Sequence, residues 1–346
     1  MEAVVFYLPD EVWVEDINQP QCGTDELLVK VEACAICGSD MKTIVSGNPR
    51  MIPPRVMGHE FVGTIVETGQ STSGFQIGER IVMATSISCG SCLYCRKGWP
   101  NLCRELAPMG FAYDGGMAEY VLIPSLAIKN GHVVKVTGKL PAKIATLAEP
   151  VSCAVNAVEN CRISEGDIVV IVGAGPMGII NGCVAKAYGA SRVIIAEINP
   201  DRLKQCEAFG FDRLVNPTEE NLLHIVKKET DGYGADVAII AAPAVSPQQD
   251  ALNLVRKRGT VMLFASLPAG KSNINIDSRL VHYREINVTG CSDSTSAHVI
   301  KALELLSSNI FPAEKLVTHS LPLSEFDKGL ELMKKGESLR VVLIPG

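Results

Sequence analysis

The chain of 346 residues reads as an α/β protein of two domains, one β-rich and one built on a doubly wound parallel sheet. Three observations predict this. The length exceeds what a single hydrophobic core comfortably organises. The first 150 residues carry short, partly alternating apolar runs punctuated by Gly and Pro, whereas from residue 168 buried apolar strands alternate with helical patterns. Between the first strand and helix of that second half lies a Gly-rich turn.

Composition narrows the function. A hydrophobic share of 47% and a charged share of 20% are those of an ordinary globular protein. A formal charge of −6 argues against nucleic acid or an anionic membrane surface as partner. The N-terminal MEAVVFYLPDEVWVED has no basic segment followed by an apolar run, and nowhere do 18 uncharged apolar residues run together, so a cytoplasmic protein is expected.

In the β-rich half, FVGTIVETG (61–69) and GERIVM (78–83) read as strands, with loops between them that carry candidate metal ligands. CAICGSDMK (34–42) and MGHEFVG (57–63) supply Cys37, His59 and Glu60. One thiolate, one imidazole and one carboxylate form the mixed set that leaves zinc an open position, a catalytic pattern. Gly38 and Gly58 flank these ligands and would let the backbone turn sharply at both points.

Four further cysteines, Cys89, Cys92, Cys95 and Cys103, follow the spacing C-x2-C-x2-C-x7-C. A reducing compartment disfavours disulfides, so a metal is expected. An iron–sulfur ferredoxin motif begins the same way but closes with a gap of three residues and a Pro; here the gap is seven and Arg104 follows. Four thiolates close the coordination sphere of zinc, so this lobe is expected to be structural. The other eight cysteines are scattered, and most read as small buried hydrophobes.

The second half opens with strand 168–172, the turn Gly173-Ala174-Gly175-Pro176-Met177-Gly178, a helix to about Tyr188 and a strand VIIAE ending at Glu197. A G-x-G-x-x-G between strand and helix, with an acidic residue nineteen positions after its last Gly, marks a Rossmann unit. Gly173 permits the turn, Gly175 admits a pyrophosphate, Gly178 lets helix pack on strand, and Pro176 and Met177 open the helix whose N-terminus faces the diphosphate. Glu197 favours NAD by accepting from a ribose and repelling a 2′-phosphate; Arg202, five residues on, is the feature that favours NADP. Further strands are expected at 213–216, 236–242, 260–265 and 286–290, with helices over EENLLHIVKKET and PQQDALNLVRKR, the latter ending in basic residues. A helix over HVIKALELLSS and a strand RVVLIP return to the first domain.

These residues together resemble the zinc-dependent medium-chain dehydrogenase/reductase family, of the alcohol and sorbitol dehydrogenase type, over essentially the whole chain. The likeness is carried by CGSD (37–40), GHE (58–60), the four-cysteine lobe, Glu149-Pro150 and GAGPMG (173–178). It implies a GroES-like catalytic domain over 1–152 with the structural zinc lobe at 85–105, a Rossmann NAD-binding domain over 153–291, and a segment 292–346 completing the first domain. Two zinc ions per chain and NAD follow from it. Glu60 and Glu149 together look like the polyol and threonine dehydrogenase branch; Cys37, His59 and one of the two glutamates would hold the catalytic zinc, the other lying close by or exchanging. Ser39 resembles the relay hydroxyl that takes the substrate proton, and Arg340 the basic residue that reaches the cofactor diphosphate. A homodimer or homotetramer, associating through an edge of the Rossmann sheet, is likewise implied.

Two departures bear on substrate. Lys42 stands where many relatives carry His, and it would replace the relay or grip a polar substrate group. After Gly290 the chain reads Cys291-Ser292-Asp293-Ser294, small polar residues suited to a hydroxylated substrate. The expected activity is oxidation of a secondary alcohol on a polyol, sugar alcohol or sugar acid to its ketone. L-Threonine or another amino alcohol is the alternative substrate. A non-catalytic nucleotide- or zinc-binding protein is the alternative class, and intact Cys37, Ser39, His59 and Glu60 count against it.

Overall fold

A computed structural model describes residues 1–268, 270–308 and 310–346. They form two compact units, one of Met1–Ser152, Asp293–Asn309 and Leu316–Gly346, the other of Cys153–Ser292 and Ile310–Lys315. Residues 310–315, expected with the returning segment, group with the second unit, where Lys315 Nζ donates to the carbonyl of Ala208 (2.5 Å).

The first unit is organised by a seven-stranded mixed sheet whose central strand, Leu27–Ala35, is buried along most of its length. Glu60–Thr68 pairs with it antiparallel on one side, and the C-terminal strand Arg340–Ile344 pairs with its end on the other. The register sets Glu60 and Val342 against the same residue, Ala35. Ile36 N–H then donates to the carbonyl of Val341 (2.9 Å). Two segments 280 residues apart in sequence are thus brought to the point where the chain leaves the central strand toward Cys37. The core beneath contains Leu27, Val29, Phe61, Met83, Met117 and Phe326; burial of such side chains contributes roughly 1.5–3 kcal/mol each.

The second unit holds six parallel strands in the spatial order Arg213–Val215, Arg192–Ala196, Ile168–Val172, Ala235–Ile240, Val255–Leu263, Asn287–Gly290. Numbered along the chain this is 3-2-1-4-5-6, the doubly wound order. Val170, Ile194, Ala238, Ile240 and Val261 fill its core, as expected of strands covered on both faces.

The basic triplet Arg256-Lys257-Arg258 does not finish a helix, as the sequence pattern suggests. The helix stops at Leu254, Val255 is extended, and the triplet lies in the strand Val255–Leu263. Register explains this: Val255 pairs with Ala235, and Arg256 Nε donates to Asp236 Oδ1 (2.5 Å) of the neighbouring strand. Pairing between strands outweighs a favourable helix-end charge. The helix expected from Glu219 instead begins at Leu222, because Asn221 caps it by accepting from His224 N–H (2.9 Å).

Helix Pro176–Ala187 packs on the first strand through Gly178, where a Cβ would stand 1.8 Å from the carbonyl oxygen of Gly173. Backbone cannot yield cheaply, so Gly178→Ala is expected to destabilise this unit by about 1–3 kcal/mol. A denaturant titration reads this as a lower midpoint; an unchanged midpoint would contradict the packing described.

Candidate metal centre and nucleotide turn

Cys37 is the N-cap of helix Gly38–Ser46, so its sulfur sits at the positive end of the helix dipole. Its backbone N–H donates to Asp40 Oδ2 (2.9 Å) in the first turn. The other carboxylate oxygen, Oδ1, lies 3.3 Å from His59 Nδ1. Asp40 therefore fixes both the helix start and one face of the imidazole, leaving Nε2 to face a metal. Ser39 Oγ lies 3.3 Å from that Nε2.

His59 and Glu60 stand at the start of strand Glu60–Thr68, after a turn that only glycine can make. Gly58 has φ +94°, and a Cβ there would meet Met117 Cγ at 2.6 Å and Cys34 Sγ at 2.7 Å. Gly38 needs no such freedom: it opens the helix, outside the positive-φ region, and nothing lies within 4 Å of where a Cβ would point.

Ligand atoms of Cys37, His59 and Glu60 all lie within 4.8 Å of one another. Glu149, half-buried in the first turn of helix Ala148–Cys161, falls outside that set. Lys42 is exposed on helix Gly38–Ser46. Arg340, expected at a cofactor diphosphate, is 3% exposed and its guanidinium contacts the carboxylate of Glu60, itself fully buried.

The charges decide what this cluster requires. A Cys37 thiolate, Asp40 and Glu60 carry three negative charges; Arg340 carries one positive charge, and a neutral His59 leaves a balance of −2. Burial pushes the Cys37 thiol up, but His59 beside it and Arg340 outweigh burial and bring it down to about 7. Burial pulls His59 down, yet Asp40 and Cys37 more than reverse this and hold it well above its ordinary value. Glu60 Oε1 is buried without a hydrogen-bond partner. A divalent cation neutralises the balance and occupies the orphaned oxygen, so the residues fit zinc.

Among the described residues a second group meets the same test. The sulfurs of Cys89, Cys92, Cys95 and Cys103 lie within 4.8 Å of one another, with separations of 3.5 Å (Cys92–Cys95), 3.9 Å (Cys92–Cys103) and 4.0 Å (Cys89–Cys95). A tetrahedron with metal–sulfur bonds of ~2.3 Å has edges of about 3.8 Å, whereas a disulfide needs ~2.05 Å. Backbone N–H groups of Cys89 (3.2 Å) and Glu105 (3.3 Å) donate to Cys103 Sγ, supporting a thiolate. The pairing of Ser86–Ile87 with Ala107–Pro108 closes the base of the lobe. Asn130 Nδ2 donates to the carbonyl of Ser88 (2.5 Å), and Ser88 N–H donates to Nε2 of buried His132 (3.1 Å).

In the second unit, Gly173 leaves the first strand at φ +105°, and a Cβ there would meet Ala242 N at 2.8 Å. Gly175 caps helix Pro176–Ala187, with Pro176 at its first position. Nothing lies within 4 Å of where a Cβ of Gly175 would point, the open approach a pyrophosphate needs. Glu197, 8% exposed, follows strand Arg192–Ala196 and accepts from Ala174 N–H (2.8 Å) and Asn199 N–H (2.9 Å). Its carboxylate is thereby locked beside the turn. Arg202 is exposed on the short helix Pro200–Gln205.

Sequence reasoning misses Asp40 and the Glu60 contact of Arg340. The spacing C-x2-D is a usable signal for the first, since a residue three positions into a helix reaches back to its cap. Nothing local marks the second, which depends on sheet register.

Residues 23–136 match the alcohol dehydrogenase GroES-like domain, and residues 176–308 match the zinc-binding dehydrogenase domain. The chain is 34% identical to a sorbitol dehydrogenase of Halalkalibacterium halodurans, covering 96% of this chain and 95% of that protein. It is 35% identical to an erythritol/L-threitol dehydrogenase of Mycolicibacterium smegmatis, over 100% and 98%. It is 32% identical to an L-threonine 3-dehydrogenase of Caldanaerobacter subterraneus, over 94% and 93%. Among solved structures, the alcohol dehydrogenase TADH from Thermus sp. ATN1 superposes with a TM-score of 0.91 at 30% identity, over 100% of both chains. A zinc-binding dehydrogenase from Sinorhizobium meliloti bound to NADP gives 0.91 at 29%, over 99% of both.

The two metal groups are expected to separate experimentally. Cys95→Ser removes one corner of the closed lobe and should lower both the zinc content and the unfolding midpoint, read by elemental analysis and a thermal melt. A Cys95→Ser protein with full zinc and an unshifted midpoint would show that the lobe needs no metal.

Proposed function

The chain belongs to the zinc-dependent medium-chain dehydrogenase/reductase family, and on that premise we propose that it oxidises a secondary alcohol on a polyol, sugar alcohol or sugar acid to the ketone with NAD. The observation that carries the reading is the convergence of Cys37, His59 and Glu60 on one buried point with a charge balance that calls for a divalent cation. Cys37, His59 and Glu60 hold a catalytic zinc in this reading, with Glu149 as the further carboxylate, and Cys89, Cys92, Cys95 and Cys103 hold a structural one. Zinc so bound supplies a Lewis acid that lowers the pKa of a hydroxyl at its open position. NAD, at the turn Gly173–Gly178, supplies the hydride acceptor.

The chain's own residues then divide the remaining work. Asp40 holds the His59 ring through Nδ1 and so orients Nε2. Ser39 Oγ, beside Nε2, takes the proton released by the substrate hydroxyl and passes it outward. Arg340 sets its guanidinium against the Glu60 carboxylate and offsets one of the negative charges gathered there. Lys42, one turn along the helix and exposed, serves as the outer end of the proton path.

Glu197 supports NAD over NADP, because a carboxylate already locked at the turn repels a 2′-phosphate. The NADP in the S. meliloti structure keeps Arg202 as the residue through which the other cofactor would be accommodated. Sorbitol and erythritol/threitol dehydrogenases among the relatives support the polyol reading; L-threonine 3-dehydrogenases support the amino alcohol as the second reading. No described helix is long and apolar enough to cross a membrane. A cytoplasmic homodimer or homotetramer belongs to the same reading, associating through Asn287–Gly290, a sheet-edge strand whose pairing within the chain is with Val255–Leu263.

The test is NAD- and NADP-linked turnover on sorbitol, erythritol, sugar acids and L-threonine, for wild type and Cys37→Ser, alongside zinc content. Expected are polyol turnover with NAD and about two zincs per chain in the wild type, with turnover abolished and one zinc lost in the folded variant. Turnover confined to L-threonine would refute the polyol assignment; full turnover by Cys37→Ser would refute the site.

A further inference from the structure

The strand order of the second unit sets which way a dinucleotide runs across it. In the NAD reading above, Glu197, after strand Arg192–Ala196, marks the adenosine end, and the turn Gly173–Gly178, after strand Ile168–Val172, takes the diphosphate. The nicotinamide half then continues over the ends of the next two strands, Ala235–Ile240 and Val255–Leu263, which lie on the far side of Ile168–Val172 from Glu197.

Past their last residues these strands stay bonded to one another. The carbonyl of Val172 accepts from Ala241 N–H (2.8 Å) and Ala242 N–H (2.9 Å), and that of Ile240 accepts from Ala265 N–H (2.9 Å). Ala265 is held a second time, from the helix that joins the two strands. Gln248, in the first turn of helix Val245–Leu254, is 5% exposed, and its Nε2 lies 2.8 Å from the carbonyl oxygen of Ala265. A carbonyl can only accept, so the glutamine donates. Both backbone groups of Ala265 are therefore engaged, one by the neighbouring strand and one by a buried side chain. The Ala265–Ser266 peptide is trans, so its N–H points opposite to that carbonyl, away from Gln248. Leucine would serve helix and core at this position without the cost of burying an amide; the amide is accounted for by the carbonyl it holds.

We propose that Gln248 is a positioning residue for the cofactor: by holding the Ala265 carbonyl it fixes the peptide after strand Val255–Leu263, against which the nicotinamide half of NAD lies. It acts through the backbone. Without the donor this peptide is free to turn, and only the fraction of molecules in which it is correctly turned binds the nicotinamide at full strength. The adenosine half, held at Glu197 and the Gly-rich turn, does not depend on it. This assignment rests on the NAD reading above and deepens it.

The test measures dissociation constants for NADH, by its fluorescence, and for ADP-ribose, which lacks the nicotinamide, by calorimetry. Wild type is compared with Gln248→Met, which keeps the length and apolar fit of the side chain and removes the donor. NADH is expected to bind the variant about 3- to 10-fold more weakly, the size of one hydrogen bond, with ADP-ribose binding unchanged. Gln248→Glu, close in shape and likewise without the N–H, should show the same split, and it is the readable variant if methionine disturbs folding. Equal NADH affinity in variant and wild type would overturn the assignment, as would an equal loss for both ligands with a lowered melting midpoint, which would leave Gln248 a packing residue. Wild-type protein that binds neither ligand would overturn the nucleotide reading itself, and this assignment with it.

Discussion

Asp40, Glu60 and Cys37 place up to three negative charges inside the first unit, against which the fold sets a single permanent cation, Arg340. Burying unpaired charge costs far more than any one packing contact returns. The architecture around these residues follows from that demand. The central strand ends where Cys37 caps a helix, its neighbour begins with Glu60, and the last strand of the chain delivers Arg340 to the same corner. Arg340 meets one carboxylate and His59 sits against the other. What is left over suits a dication, for which the orphaned Glu60 oxygen, costly in a bare protein, would serve as a ligand in the proposed reading.

In the proposed reading the two sulfur-bearing sites separate structure from chemistry by coordination alone. Four cysteines at tetrahedral spacing leave no position for a substrate, whereas Cys37, His59 and Glu60 leave one. The lobe is secured by contacts that do not involve sulfur, notably Asn130 and His132 on the backbone of Ser88, so its position is continuous with the core behind it. At the nucleotide turn the same economy holds: Glu197 bonds to the backbone of the turn it flanks, so one carboxylate braces the turn and sets its charge.

Fold class, the parallel strands of the second unit and the gathering of Cys37, His59 and Glu60 and of the four cysteines are legible in the sequence because each depends on local spacing. Cysteine intervals, a G-x-G-x-x-G between strand and helix, and runs of buried apolar residues are short-range signals. Contacts set by sheet register are not legible. Arg340 reads as a residue for the cofactor diphosphate because nothing in RVVLIP reveals that Val342 pairs with Ala35 opposite Glu60. Arg256 and Arg258 read as a helix end because charge pattern is local, while their pairing with Asp236 and Glu285 is not. Gly38 suggests a sharp turn that the helix beginning there makes unnecessary, and residues 310–315 group with a unit that composition does not distinguish.

The most direct measurement of the charge-balance account is the zinc affinity of the Cys37–His59–Glu60 site in wild type and Asp40→Asn, by chelator competition with the four-cysteine lobe loaded. Asp40 lies outside the Cys37–His59–Glu60 cluster, yet it supplies one of the three negative charges and sits against His59, so the account predicts affinity weaker by about 10- to 100-fold in Asp40→Asn. Equal affinity in the two proteins would contradict it.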